Sequence, residues 1–257
     1  MMGTGTTRFH GHDIAPPVIA YPDAGVPSDL DEYMFHLNDY LLLKGVLSTE
    51  QVAEANMLID TIPRDLPRGG WHGWVQREDH RGISYRQVFE LGGVFERMID
   101  NPRYLNYLNR FFGGHETHDQ HHGPLGIDEA FSSIRGPGEA IPVHSGGHEV
   151  ASRTGFRYHN GRFLCGEINI LTAFTDIGPG DGATMIIPGS HKSNFIHPAF
   201  RRRDRVQEWS NDGGGSAEDV EGAVEVHMQA GDMPCHDTAW RNNPGERRIR
   251  VYRWGSA

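Results

Sequence analysis

Sixteen histidines among 257 residues are the first chemical signal in this sequence, because imidazole is both the commonest metal ligand and the usual proton carrier near neutral pH. Two of them stand where a metal could be held. His144 lies in Pro142-Val143-His144-Ser145-Gly146-Gly147-His148-Glu149, shortly after an apolar β-type run, and His236 follows ninety-two residues later, near the last strands. In a jelly roll such distant positions can converge at one mouth. Two neutral imidazoles, usually joined by one carboxylate, can bind one face of a non-haem Fe(II) and leave the other face open to a bidentate cosubstrate and O2. A buried arginine would then clamp the far carboxylate of that cosubstrate through a two-pronged pair. Arg247, eleven residues after His236 on the next predicted strand, is the candidate. The bland alternative is a pair of loop histidines and an exposed strand arginine.

Other chemistries find less support. Gly189-Ser190-His191-Lys192-Ser193 lacks the spacing of a phosphate-cradling loop, and there is no Gly-x-Ser-x-Gly elbow for a nucleophilic serine. His115-Glu116-Thr117-His118 is one residue short of the register that brings two histidines of a helix onto one zinc, and reads as a solvated loop. Cys165 falls in a predicted buried strand, which argues against a reactive thiolate. With Cys165 and Cys235 the only cysteines, neither a disulfide framework nor a thiolate cage is available, and the usage suits a reducing, cytoplasmic setting. Lys plus Arg number 24 against 34 Asp plus Glu, a net charge of −10, which opposes the basic phosphate grip of nucleic-acid binders. Apolar runs such as Tyr40-Leu41-Leu42-Leu43 are too short to span a bilayer, and the first 30 residues lack a signal-peptide core, so no membrane partner is expected.

The elements that must position these residues change character along the chain. Residues 1–27, with four prolines and no apolar period, predict an extended arm. Residues 28–126 read as helix-rich support. Within them a short strand is predicted over Tyr40 to Val46, and Ser48-Thr49-Glu50-Gln51 forms a capping box ahead of Val52, Ala55, Ile59 and Ile62 at helical spacing. A second helix starts after Pro102 and ends at Gly113-Gly114. From 127 to 257 the texture becomes short β-type runs: Ala130 to Arg135, Arg162 to Thr175, Ala183 to Ile187, Ala223 to Met228 and Arg247 to Trp254. No linker divides the two textures, so one domain is expected, mainly β with N-terminal helices buttressing a jelly roll. Asp212 to Asp219 reads as a surface loop, with a lid as the alternative.

The stretch Gly178-Pro179-Gly180-Asp181-Gly182-Ala183-Thr184-Met185-Ile186-Ile187-Pro188-Gly189-Ser190-His191-Lys192-Ser193-Asn194-Phe195 closely resembles the phytanoyl-CoA dioxygenase family of Fe(II)/2-oxoglutarate oxygenases. Upstream, Leu37 to Ser48 is similar to the opening strand, turn and helix of that family, with Asp39 where glycine is common. Downstream, Gly231-Asp232, His236 and Arg247-Arg248 resemble its closing segment, whose histidine binds iron and whose arginine, eleven residues later, binds 2-oxoglutarate. The resemblance covers roughly residues 35 to 255. It implies a double-stranded β-helix, jelly-roll and cupin-like, with Fe(II), 2-oxoglutarate as cosubstrate and O2.

Three departures separate this chain from the family pattern. No His-x-Asp or His-x-Glu occurs, and the aligned place holds His144-Ser145-Gly146, similar to a His-Gly-Gly form found in one branch. The carboxylate ligand then falls to Glu149 from the same loop, with His148 as the alternative. A vacant position at Gly146 instead resembles iron halogenases, where a halide fills it. The interval from Asp232 to His236 is also about six residues shorter than usual, and Asn242 takes the ligand position if the gap is placed elsewhere. Arg135 resembles a basic residue one strand before the metal motif that can pair with cosubstrate or substrate. Asn169 and Thr172 lie on opposite faces of one strand by the two-residue period, and Asn169 is preferred as the one facing 2-oxoglutarate. His191 reads as a loop-stabilising residue.

The expected activity is hydroxylation of an unactivated C–H bond of a small molecule, with release of succinate and CO2. Halogenation is the near alternative. A catalytically inactive small-molecule binding protein of the same fold and a zinc hydrolase are the more distant ones. Substrate selection is expected in residues 65–100 and 195–222, where Trp71, His72 and Trp74 suggest an aromatic wall and Arg201-Arg202-Arg203-Asp204-Arg205 suggests anion attraction. Oligomeric state is not legible.

Overall fold

The computed structural model describes residues 25–63, 75–78, 82–111, 125–134, 156–159, 162–165, 167–193, 220–237 and 247–252. Helix α1 (Asp29–Asn38) opens on Ser28, whose side chain accepts from Asp31 N–H while the Asp31 carboxylate accepts from Ser28 N–H. It closes on Asp39, whose N–H donates to Phe35 O at 2.7 Å and whose φ is +77°. That left-handed conformation costs least in glycine, and aspartate is one of the few other residue types that adopt it readily. Helix α2 (Thr49–Asp60) carries the reciprocal Ser48–Gln51 cap that the sequence predicts, and buries Val52, Ala55 and Ile59. Short α3 (Val94–Arg97) and α4 (Pro102–Phe111) follow, the latter burying Tyr104, Tyr107, Leu108 and Phe111.

Eleven strands are present among the described residues: β1 (Tyr40–Leu43), β2 (Val75–Glu78), β3 (Gly82–Arg86), β4 (Gly126–Ile134), β5 (Phe156–His159), β6 (Arg162–Cys165), β7 (Glu167–Thr172), β8 (Thr184–Ile186), β9 (Val224–Val226), β10 (Met233–Asp237) and β11 (Arg247–Tyr252). Seven form one antiparallel sheet in the order β1-β10-β7-β11-β4-β3-β2, while β5-β6 and β8-β9 are separate hairpins. The expected single run from Arg162 to Thr175 is thus two strands. The first half is also less purely helical than its pattern suggests, since β2 and β3 extend the main sheet beyond β4 and β1 closes its other end.

All four residues of β1 are buried, and the strand's two-residue period divides them between two cores. Leu41 and Leu43 join Ile168, Ile170, Met233, Cys235 and Ala130 against α2, α3 and α4. Tyr40 and Leu42 join Ala173, Ile177, Ala183, Ile186, Val226 and Met228 on the side of the β8-β9 hairpin. One face of the sheet therefore meets helices. The other faces the interior between two β layers.

The turns at the sheet's closed end are tied by one carboxylate. Buried Asp232 accepts from Gly45 N–H and Gln229 N–H, both at 2.8 Å, and from Lys44 Nζ at 2.7 Å. Next to it Gly231, at φ +95°, sits so close to Leu47 O that a Cβ would collide with that backbone oxygen. Leu47 N–H donates back to Gly231 O at 3.1 Å. No helix among the described residues is long and apolar enough to cross a membrane.

Removing Asp232 leaves two backbone donors and a half-buried ammonium without their acceptor, so Asp232→Ala is expected to lower stability by about 3 kcal/mol. Gly231→Ala should cost a similar amount through the left-handed φ and the clash with Leu47 O. Urea unfolding midpoints of the two variants check both values; a loss under about 1 kcal/mol for either would be inconsistent with this clamp.

Candidate functional site

Strands β1, β10, β7 and β11 lie side by side, and their register aligns one continuous rung: Tyr40 opposite His236, His236 opposite Asn169, and Asn169 opposite Arg250. Residues directly opposite in an antiparallel pair share a face, with Cβ atoms roughly 4.5–5.5 Å apart. Because Tyr40 packs with the inter-layer cluster and Leu41 with the helix-side cluster, Tyr40, His236 and Asn169 face the interior between the β layers. Tyr40, His236 and Asn169 are 6%, 4% and 5% exposed. Three polar side chains are therefore buried in a row within an interior otherwise lined by Leu42, Ile177, Ile186, Val226 and Met228.

Buried polar atoms nearly always find a hydrogen-bond partner, so each exception calls for an explanation such as a bound ion, water or ligand. Tyr40 Oη and Asn169 Oδ1 are buried without one among the described residues. Burial pushes the Tyr40 phenol up to about 12, so it remains a protonated donor across the physiological range. Two residues before Asn169, and so on its face of β7, the carboxylate-bearing Glu167 is also buried. An imidazole, an amide and a neutral phenol, with orphaned atoms between apolar walls, suit a metal-bound organic anion.

The structure distributes the sequence candidates unevenly. His236 and Asn169 meet on one rung. Arg247 stands opposite Thr172, three rungs from Asn169, whereas Arg248 is opposite Leu171 and Arg250 opposite Asn169. Thr172, as the two-residue period requires, falls in the row alternate to Asn169, and its buried Oγ1 is without a partner among the described residues. His144, Glu149 and Arg135 lie outside the described residues, as do His148, Asn242, Trp71, His72, Trp74, the 201–205 arginine run and the 212–219 loop. Among the described residues no group of three His, Cys, Asp or Glu gathers around a point that could hold a metal ion. Tyr40 and Arg250 were not singled out by motif. The signal that could have found them is alternation: a tyrosine in an otherwise aliphatic YLLL strand, and an arginine one period beyond Arg248.

The Gly189-Ser190-His191-Lys192 segment proves to be a strut. Gly189, at φ +79°, donates its N–H to Asn38 O at 3.0 Å, and the His191 ring Nε2–H donates to His36 O at 3.1 Å. His191 Nδ1 lies 3.5 Å from Asp39 Oδ1. Burial, aided by neighbouring Lys192, lowers the imidazole to about 3 and keeps it neutral. The motif therefore fastens the end of α1, and with it the start of β1, to the β8 layer.

With this geometry in view, comparisons with known proteins are specific. The family model for phytanoyl-CoA dioxygenase (PhyH) matches residues 35–239. Dioxygenase FUM3 of Gibberella moniliformis (strain M3125 / FGSC 7600) is 27% identical over 164 residues, which are 60% of this chain and 52% of FUM3. The chain thus spans about half the length of that curated relative. Among solved structures, HygX of Streptomyces hygroscopicus with nickel and 2-oxoglutarate bound aligns with a TM-score of 0.64 at 20% identity, over 88% of this chain and 85% of HygX. The non-heme alpha-ketoglutarate-dependent carbocyclase SnoK from nogalamycin biosynthesis aligns at 0.56 and 17% identity, over 88% and 84%. AviO1 of Streptomyces viridochromogenes Tue57 aligns at 0.55 and 16% identity, over 91% and 98%. These likenesses establish the fold, the double-stranded β-helix of the 2-oxoglutarate oxygenases, here with N-terminal helices on its main sheet.

If His191 is a strut, His191→Ala leaves His36 O without its donor and lowers stability by about 1–3 kcal/mol. Thermal unfolding with and without added Fe(II) tests this. The same loss is expected in both; a loss confined to the Fe(II)-loaded protein would point to a ligand instead.

Proposed function

The chain belongs to the phytanoyl-CoA dioxygenase family, and from that premise we propose that it is a non-haem Fe(II)- and 2-oxoglutarate-dependent oxygenase that hydroxylates an unactivated C–H bond of a small molecule. The observation that carries this reading is the family match over residues 35–239. The buried rung of Tyr40, His236 and Asn169, with its orphaned Oη and Oδ1, supports it independently of alignment. HygX has been solved with iron, and with nickel, 2-oxoglutarate and hygromycin B, which favours a small organic substrate here.

In this reading His144 and His236 hold the iron, Asn242 taking the place of His236 if the gap is placed elsewhere, and Glu149 contributes the carboxylate, with His148 as its alternative. Arg247 clamps the far carboxylate of 2-oxoglutarate, and Arg135 and Asn169 contact the cosubstrate. Arg250 shares the rung of Asn169, so it competes with Arg247 for the clamp. When bound together, iron and 2-oxoglutarate supply the oxidising power, with decarboxylation to succinate and CO2 and consumption of O2. The chain's own part is to orient and to keep dry. Leu42, Ile177, Ile186 and Met228 exclude water from the interior face, which strengthens each polar contact made there.

Halogenation is the second reading. It rests on Gly146, which follows His144 at the place where the family carries aspartate. Omitting chloride separates the two: a halogenase loses its chlorinated product, whereas a hydroxylase is indifferent.

Anaerobic titration of metal-free protein with Fe(II) and 2-oxoglutarate tests the cofactor pair. A saturable visible charge-transfer band at about one iron per chain is expected, abolished in His144→Ala and in His236→Ala. A folded protein that takes up Fe(II) yet develops no band would overturn the reading.

A further inference from the structure

Tyr40 is the one polar side chain that the N-terminal strand contributes to the interior, and neither sequence motif nor family resemblance assigns it a role. Its ring belongs to the inter-layer cluster with Leu42, Ala173, Ile177 and Ile186. Its backbone is held by the β1-β10 ladder from Tyr40↔His236 to Leu43↔Met233. At 6% exposure its Oη has no partner among the described residues. A phenylalanine would fill the same space without burying a hydroxyl, and a buried hydroxyl with nothing to bond is a cost to the ligand-free fold. Such a cost is understandable if a ligand removes it.

The neighbours define what that ligand must offer. One strand away is His236 and two strands away Asn169, about 10 Å across the ladder at the usual strand spacing. The next position of the same rung is Arg250. A neutral phenol that keeps its proton can donate to an acceptor, and a carboxylate oxygen is the strongest acceptor such a donor meets.

Resting on the oxygenase reading above, we infer that Tyr40 is a cosubstrate-positioning residue, its O–H donating to a carboxylate oxygen of 2-oxoglutarate held over the His236–Asn169 rung. The hydroxyl has no structural task of its own, and this separates the inference from a packing role. Deleting it should leave the ligand-free protein as stable as before or more so, and should weaken only the ligand-bound state.

The test is Tyr40→Phe in the full chain, measured in two ways. Thermal unfolding of metal-free protein is expected at an unchanged or higher temperature. Anaerobic titration of the Fe(II)-loaded protein with 2-oxoglutarate, read from the charge-transfer band, is expected to show a dissociation constant raised roughly tenfold or more, as for loss of a hydrogen bond to a charged group. The band maximum should shift as well. A variant whose dissociation constant and band equal those of the wild type overturns the inference and leaves the oxygenase reading standing. A variant that unfolds at markedly lower temperature, or does not fold, also overturns it, because the hydroxyl then has a structural partner. A wild-type protein that forms no band overturns both.

Discussion

The site depends on where a four-residue strand is inserted. β1 adds Tyr40–Leu43 to the edge of β10, and its four side chains enter two cores in alternation, so its register has no freedom. A slip of one residue would exchange Tyr40 and Leu42 for Leu41 and Leu43, putting a phenol against the helices and moving a leucine next to His236. Two devices hold the register from opposite ends. The His191 ring on His36 O and the Gly189 N–H on Asn38 O anchor the entry to β1, and the Asp232 carboxylate gathers Lys44, Gly45 and Gln229 at its exit. Both are polar knots at the rim of apolar layers, each satisfying backbone groups that tight turns would otherwise leave exposed to the interior.

What the clamped strand delimits is an interior with two unlike parts. Toward the β8-β9 hairpin it is lined by buried apolar side chains. Along the Tyr40–His236–Asn169 rung it is polar, and two of the polar atoms are unsatisfied among the described residues. Each orphan costs on the order of 1–3 kcal/mol, a cost that a bound ligand would remove. Functional sites are where such local violations are expected to concentrate. HygX and SnoK share this fold, and the family model matches residues 35–239.

Much of the scaffold could be read from the chain because it rests on local chemistry. Ser48 and Gln51 signal a helix start wherever they occur at that spacing, Pro102 opens α4, and short β runs punctuated by glycine and proline predict a jelly roll. Less could be read where pairing partners are distant. The strands β2 and β3 carry no strong alternation, Val75-Gln76-Arg77-Glu78 being mostly polar, and become strands through the ladders of β2 to β3 and of β3 to β4. His191 lies within the most recognisable motif, yet its contacts with His36 and Asp39 are made across more than 150 residues of sequence.

By itself, then, the sequence determined the class of fold, the family, and the residue types available for iron and a keto acid, because composition, caps and a long contiguous motif are local properties. Only the tertiary structure decided which of those residues share a face. Asn169 rather than Thr172 stands beside His236, Arg250 rather than Arg247 stands beside Asn169, and a tyrosine from the other end of the chain completes the rung. The physical reason is that a strand's face is set by its register with its neighbours. One residue of shift inverts it, and no local pattern in β1, β7, β10 or β11 specifies that alignment without the partner strand beside it.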